Sequence, residues 1–427
     1  MNSRKVYFDN SSTSVPKTPG VLEAVINYLS TGAYNVGRGG YVDSYDIALQ
    51  ILKARENIAT LFNAADPREV IFTPSLTHSL NMILQGFLKE DDHVITTSME
   101  HNSVMRPLYA LAATRGVRFD VATCDDNGVL DPSDVAALID HNTRAVVMTH
   151  ASNVCGTVMP VAQIAELCKQ RGIRLIVDAA QTAGVLPIDV SDIDALAFPG
   201  HKALLGPTGI GGFVIKSDFA DLISASIWGG TGSQSQDFAQ PDFLPDKFES
   251  GTQNIAGILG LGAAVEYVQS RGIEDIYRHE MKLYKQFIVG AAGIEGMRLI
   301  AVSDKRSEVP NDTLNCEHAG SFDCAQEYGG GNTRLPGNNM QLSGRIPQKV
   351  AVASVDFPGW DNAKVAAVLD KQYGIMARCG LHCAPAAHKT LGTYPAGTLR
   401  FSFGHANTVE EVDYLLHALQ EIVQQKR

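Results

Sequence analysis

EVIFT (69–73), HVITT (93–97), RAVVMTH (144–150), RLIVDAA (174–180), DALAFPG (194–200) and GGFVIK (211–216) are short apolar runs that lead into polar or turn residues, and helical patterns such as VAQIAELCKQRG (161–172) lie between them. Consecutive apolar positions suit strands buried on both faces, and intervening helices are the crossovers that parallel strands require. This pattern predicts an α/β domain over residues 20–255 built on a mainly parallel sheet. After the helical stretch ILGLGAAVEYVQSRG (258–272) the character changes. The strands KVAVASVDF (349–357), YGIMARCG (373–380) and TLRFSFG (398–404) occur with helical DNAKVAAVLDKQ (361–372) and VEEVDYLLHALQEIVQQ (409–425). A smaller α+β domain over 256–427, grouped with residues 1–19, is expected there. It carries an insertion at about 303–345, whose segment 316–345 is rich in Gly, Asn and Ser and reads as a long loop.

The chain has 427 residues, 45% hydrophobic and 19% charged, which suits a large globular core. Its net charge of -11 is offset by no lysine or arginine cluster, so the electrostatic footprint for nucleic acid or anionic membrane is missing and a small-molecule substrate is expected. No run of about 18 uncharged apolar residues suggests a membrane span, and the N-terminus MNSRKVYFDNSSTS lacks the apolar region of a secretion signal. A cytoplasmic protein is expected. Seven scattered cysteines, at 124, 155, 168, 316, 324, 379 and 383, do not form a disulfide framework, so reduced thiols are expected.

Ligands of open parallel sheets bind beyond the carboxyl ends of the strands. Polar residues gather at such ends: Asn153 in THASNVCGT, Asp178 and Gln181 in VDAAQ, and His201 with Lys202 in FPGHK. Lys202 stands in FPGHKALLGPTGIGG (198–212), a nearly uncharged, glycine-rich stretch that looks built for burial. A buried ammonium is costly unless paired, neutralised or used covalently. The plain alternative is a loop lysine that reaches water. A carboxylate just past one strand, followed by a strand ending at a lysine, suits a pyridoxal phosphate site: the lysine binds the aldehyde and the acid pairs with the pyridinium nitrogen.

With YFDNSST (7–13), NVGRGG (35–40), MEHNS (99–103), THASNVCGT (149–157), VDAAQ (177–181), GHK (200–202), GPTGIGG (206–212), FESGTQN (248–254), RCGLHCAP (378–385) and LRFSF (399–403) in this order, the chain resembles the class V aminotransferase superfamily. Within it, the chain is similar to the group II cysteine desulfurases and selenocysteine lyases. The resemblance implies the pyridoxal-phosphate transferase fold of type I and a homodimer. It implies Lys202 as the Schiff-base lysine, Asp178 as the pyridinium partner, Gln181 as a donor to the cofactor's phenolic oxygen, and His101 over the ring face. Thr77 and His201 would bind phosphate at the start of a helix, and Thr252 would reach the phosphate of the other protomer. Leu76 stands where a second hydroxyl is common, and Pro199 replaces a Ser or Thr, so phosphate binding should lean on backbone amides, His201 and Thr77. Asn153 would lie near the cofactor and the substrate carboxylate, Arg400 would hold that carboxylate, and Arg378 would assist. Each has a plainer reading: a core or surface histidine for His101, a turn-capping Asn153, a surface Arg400.

RCGLHC points to the reaction, since by resemblance Cys383 attacks the sulfur of L-cysteine, giving L-alanine and a persulfide passed to a thiol-bearing acceptor. Arg378 and His382 are near in sequence and would favour the thiolate if they faced it; a buried structural cysteine is the alternative. Selenocysteine would serve the same residues, and an aminotransferase or epimerase would have no need of Cys383. A zinc-binding interaction protein could draw on Cys379, Cys383, His388, Cys316, His318 and Cys324, but these lack the tight C-x2-C spacing of common structural sites. No metal is expected. GPTGIGG precedes a strand instead of joining a strand to a helix, so it is not a dinucleotide fingerprint.

Overall fold

The computed structural model describes residues 5–36, 39–234, 236–302 and 348–425. The expected insertion, with Cys316, His318 and Cys324, lies outside the described residues, as do Gly37 and Arg38 of the NVGRGG motif. The chain begins with β1 (Val6–Tyr7) and continues into a seven-stranded sheet. Its strands are β2 (Val70–Thr73), β3 (His93–Thr97), β4 (Arg118–Ala122), β5 (Thr143–Thr149), β6 (Arg174–Asp178), β7 (Ala195–Pro199) and β8 (Gly211–Ile215). The order across the sheet is β2-β8-β7-β6-β5-β3-β4. β8 runs against both of its neighbours, and the other pairs are parallel.

The central strands are buried along their whole length or nearly so, as their unbroken apolar runs require. β4 is the strand that those runs do not reveal. It pairs only with β3 at the sheet edge, and of Arg118–Ala122 only Ala122 is buried. An edge strand needs no continuous apolar signal. The glycines of GPTGIGG serve packing: a Cβ on Gly212 would meet the Phe198 ring at 2.8 Å and strike the Ile71 carbonyl, so β8 can lie between its neighbours only without side chains there.

Five further strands follow, four of them in a second sheet: β9 (Arg298–Leu299), β10 (Val352–Asp356), β11 (Ile375–Met376), β12 (Arg378–Gly380) and β13 (Thr398–Ser402). Four of these form an antiparallel sheet in the order β12-β13-β10-β9, and β11 pairs in parallel with β1. Val6 and Phe8 thereby join the hydrophobic cluster of Phe287, Val355, Phe401, Leu415 and Leu419, and the N-terminal segment is packed into this second core. The expected strand 373–380 begins late, because Leu369–Tyr373 continues the preceding helix as a π-helical turn that Gly374 ends with φ 68°, and it divides at Ala377 into β11, which pairs with β1, and β12, which pairs with β13. The described residues on either side of 255 belong to one compact unit that holds all three sheets. Among the described residues no helix is long and apolar enough to cross a membrane.

Candidate active site

The ends of β5, β6 and β7 open on a cavity of about 200 Å³ lined by Thr77, His101, Ser103, Asn153, Asp178, Gln181, His201 and Lys202, among others. Lys202 follows β7 on a loop closed by hydrogen bonds from Gly200 N to Ile210 O (2.9 Å), Gly206 N to Gly200 O (2.8 Å) and Leu205 N to Lys202 O (2.8 Å). Burial pushes its amine down to about 8, reinforced by Arg400 and Arg378 and opposed by Asp178. Lys202 is half-buried and lines this cavity, where the loop-lysine reading would have it extend into bulk water. Lys17, which the sequence reading overlooks, fastens this loop from behind: its Nζ donates to His201 O (2.9 Å), Ser14 Oγ (3.0 Å) and Thr13 Oγ1 (3.2 Å).

Asp178 terminates β6 and is 2% exposed. Its carboxylate accepts from Ala180 N at 2.9 Å and from Ser103 Oγ at 3.1 Å, yet burial still raises its pKa. His101 caps the helix Asn102–Arg115, and its Nδ1 accepts the Ser103 N–H at 3.0 Å. Burial and the nearby Lys202 push the imidazole down to about 4, so at neutral pH it is uncharged with its proton on Nε2. Ser103 Oγ also lies 2.9 Å from His101 Nδ1, so one serine touches both the carboxylate and the imidazole. The MEHNS motif contained Ser103, but only the tertiary fold reveals its partner 75 residues away.

Thr77 lies in the first turn of the helix Leu76–Phe87, whose cap Ser75 accepts from His78 N at 3.2 Å. The remaining first-turn amides have no intrahelical acceptor and form a site for an anion. Leu76 packs into an apolar core cluster and, like Pro199 and His201, also lines the cavity. His201 Nδ1 is buried without a hydrogen-bond partner. Together with the amine of Lys202, the carboxylate of Asp178 and the amide of Gln181, which donates to Ser11 O at 3.3 Å, this donor set fits pyridoxal phosphate. Thr252 does not line this cavity. It is an exposed residue three positions after Glu249, which is anchored to β2 through Phe72 N (2.7 Å) and to the helix Val42–Phe62 through Arg55 (2.8 Å).

Arg400 on β13, Arg378 on β12 and Cys383 in the turn after β12 do not line this cavity, but Arg400 bonds to Asn153, which does, and Cys383 bonds to Asn102, the neighbour of His101. Arg400 is 1% exposed, which removes the surface reading; its Nη1 donates to Asn153 O at 3.0 Å and its Nη2 to Asp9 Oδ1 at 2.6 Å. Asn153 is no local turn cap, because its Nδ2 donates to His382 O at 2.8 Å, far along the chain. The Cys383 carbonyl accepts from Asn102 N at 2.8 Å, which ties the cysteine to the residue next to His101. Cys383 itself is exposed, so it is not a structural core thiol. His382 corrects the expected electrostatics. Its ring is buried against Thr398 Oγ1 at 3.0 Å, and burial with Arg400 nearby pushes it down to about 2, so it lends no positive charge to the thiol.

Known proteins resemble this chain along nearly its whole length. The Aminotransferase class-V family matches residues 6–325 and 335–415. A probable cysteine desulfurase of Methanothermobacter thermautotrophicus is 33% identical over 98% of this chain and 94% of its own length, and one from Pyrococcus abyssi is 32% identical over 99% and 95%. Among solved structures, an apo cysteine desulfurase from Thermococcus onnurineus superposes with a TM-score of 0.83 at 30% identity, covering 99% of this chain and 95% of that one. A cysteine desulfurase from Escherichia coli, in an S-sulfonic acid form, gives 0.81 at 27% identity, covering 99% and 95%. The chain belongs to the class V aminotransferase family, alongside its cysteine desulfurases.

Proposed function

We propose that this protein is a pyridoxal-phosphate-dependent cysteine desulfurase that converts L-cysteine to L-alanine and leaves the sulfur as a persulfide on Cys383. The observation that carries this reading is one cavity uniting Lys202, Asp178 and His101, with the exposed Cys383 tied to its edge through Asn102. The curated relatives are named for cysteine, and the selenocysteine and aminotransferase alternatives draw no support from them.

Lys202, Asp178, Gln181, His201, Thr77 and the amides of the Leu76–Phe87 helix would hold the cofactor, with Thr252 reaching the phosphate of a second protomer. When bound, the cofactor supplies an electron sink that makes the substrate's Cα proton acidic and its Cβ–S bond breakable. Arg400 orients the substrate carboxylate, with Asn153 and Arg378 beside it. The Lys202 amine, neutral more readily than an ordinary lysine, takes and returns the Cα proton. His101 holds a proton on Nε2 beside it. The Cys383 thiolate forms a bond to the substrate sulfur as the Cβ–S bond breaks, and the thiol's proton balances the one that Cβ gains in alanine. Cys383 then passes the sulfane sulfur to a thiol, either a small one or that of an acceptor protein, and the exposed position of its side chain suits both.

A homodimer is supported by exposed apolar side chains on two helices, Leu22, Ile26 and Leu29 on Val21–Ser30 and Val42, Tyr45 and Leu49 on Val42–Phe62, with Trp228 exposed in the segment that leads to Thr252. The reaction needs Cys383 as a free thiol, which the reducing cytoplasm provides. The test is incubation of the cofactor-loaded protein with L-cysteine and a reductant. Equal amounts of alanine and sulfide are expected, and formation of pyruvate or no alanine would overturn the reading.

A further inference from the structure

The register of the second sheet sets Arg378 directly opposite Arg400 on β12 and β13. Like charges facing each other across antiparallel strands are destabilising, and Arg400 is nearly inaccessible to water. The YFDNSST segment answers this pairing. Asp9 bridges in parallel to Ser402, two residues along β13 from Arg400, so its carboxylate lies beside the guanidinium. Arg400 Nη2 donates to Asp9 Oδ1 at 2.6 Å and to Ser12 Oγ at 2.9 Å, Arg378 Nη1 donates to the same Ser12 Oγ at 2.8 Å, and Ser12 Oγ donates to Asp9 Oδ1 at 2.7 Å. The serine hydroxyl thus uses both lone pairs and its proton within one network. Two guanidiniums and one carboxylate leave one positive charge. Arg400 Nε, buried and without any partner, remains as a donor. A buried unpaired N–H is costly, and it marks where an acceptor is missing.

We infer that Asp9 is a positioning residue that anchors Arg400 and sets the charge of the substrate-carboxylate site at one positive unit, matched to the single carboxylate of an α-amino acid. This rests on the desulfurase reading but is tested separately from it, by binding of propionate, an unreactive monocarboxylate, to the cofactor-loaded protein, measured by calorimetry. Asp9→Asn raises the site's charge, so propionate binds about tenfold more tightly, while kcat with L-cysteine falls because Arg400 loses its anchor. Arg378→Gln weakens propionate binding about tenfold, and the double variant returns to within about threefold of the unaltered protein. A merely structural Asp9 would lower activity without tightening anion binding. Unchanged or weaker propionate binding in Asp9→Asn, or a double variant as weak as Arg378→Gln, overturns the inference. If Asp9→Asn does not fold, Asp9→Glu and Arg378→Gln carry the test: Asp9→Glu keeps the charge and leaves propionate binding within about threefold, and a tenfold change there, or none in Arg378→Gln, overturns it. Alanine formation by the unaltered protein is measured alongside, and its absence would overturn the desulfurase reading instead.

Discussion

Lys202 and Cys383 carry the two halves of the proposed reaction from opposite kinds of surroundings. Lys202 stands at the end of a buried parallel strand, on a loop closed by its own backbone and fastened by Lys17, and desolvation brings its amine down to about 8. Cys383 stands in the connection between β12 and β13 of an antiparallel sheet, is exposed, and has φ 57° directly after His382 with φ 49°. Two consecutive non-glycine residues in the left-handed region are costly. The cost is met by the bonds that Asn153 and Asn102 make to the His382 and Cys383 carbonyls. The difference is instructive: proton transfer gains from a dry, rigid wall, whereas a thiol that must give its sulfur away has to reach solvent.

The comparison breaks most directly at Lys202. Lys202→Ala should lower alanine formation by more than about a thousandfold while the protein stays folded, checked by rate and thermal melt. A rate near that of the unaltered protein would mean that the buried amine does no chemistry. Asp178→Asn removes a buried charge from the proposed cofactor site and should cost about a hundredfold in kcat with some cofactor retained. Near-normal turnover would make Asp178 a structural residue.

The loss of Ser103 is expected to be smaller. Ser103→Ala removes one of the two donors that hold the Asp178 carboxylate ionised, so that carboxyl titrates at still higher pH. Cofactor affinity should fall about tenfold, with its acid limb moved upward, in a titration of the apoprotein. An unshifted acid limb would show that Ser103 does not act through Asp178. The mildest test changes only pH. Cofactor uptake needs the neutral Lys202 amine, so its rate in the apoprotein should rise with a midpoint near 8, whereas an ordinary lysine would place it above 10. By linkage, the amine's depressed pKa makes the unfolded chain the better proton binder between about 8 and 10.5, so this group's contribution to stability becomes more favourable as pH rises through that window.

The buried wall was the more legible half in the sequence. Central strands buried on both faces write themselves as apolar runs, and Asp178 and Lys202 follow such runs directly. β4 escaped because an edge strand with Arg118, Asp120 and Val121 exposed carries no such run. Ser103, Lys17, Asp9 and Ser12 lay inside or beside motifs already in view, yet their roles depend on partners brought near only by folding. His382 shows the same limit from the other side. Its adjacency to Cys383 suggested a helpful charge, but a positive φ turns its ring into the core, where it stays neutral.

The central claim, that an exposed Cys383 takes sulfur prepared by the buried wall, is tested most directly by mass spectrometry of the protein after turnover with L-cysteine in the absence of reductant. Cys379 is the internal comparison, since it is only partly exposed and burial pushes its thiol up. One added sulfur atom is expected on the peptide carrying Cys383, at that residue, and it should disappear in Cys383→Ser while Cys379→Ser keeps it. Added sulfur on Cys379, with Cys383→Ser fully active on L-cysteine, would contradict the account.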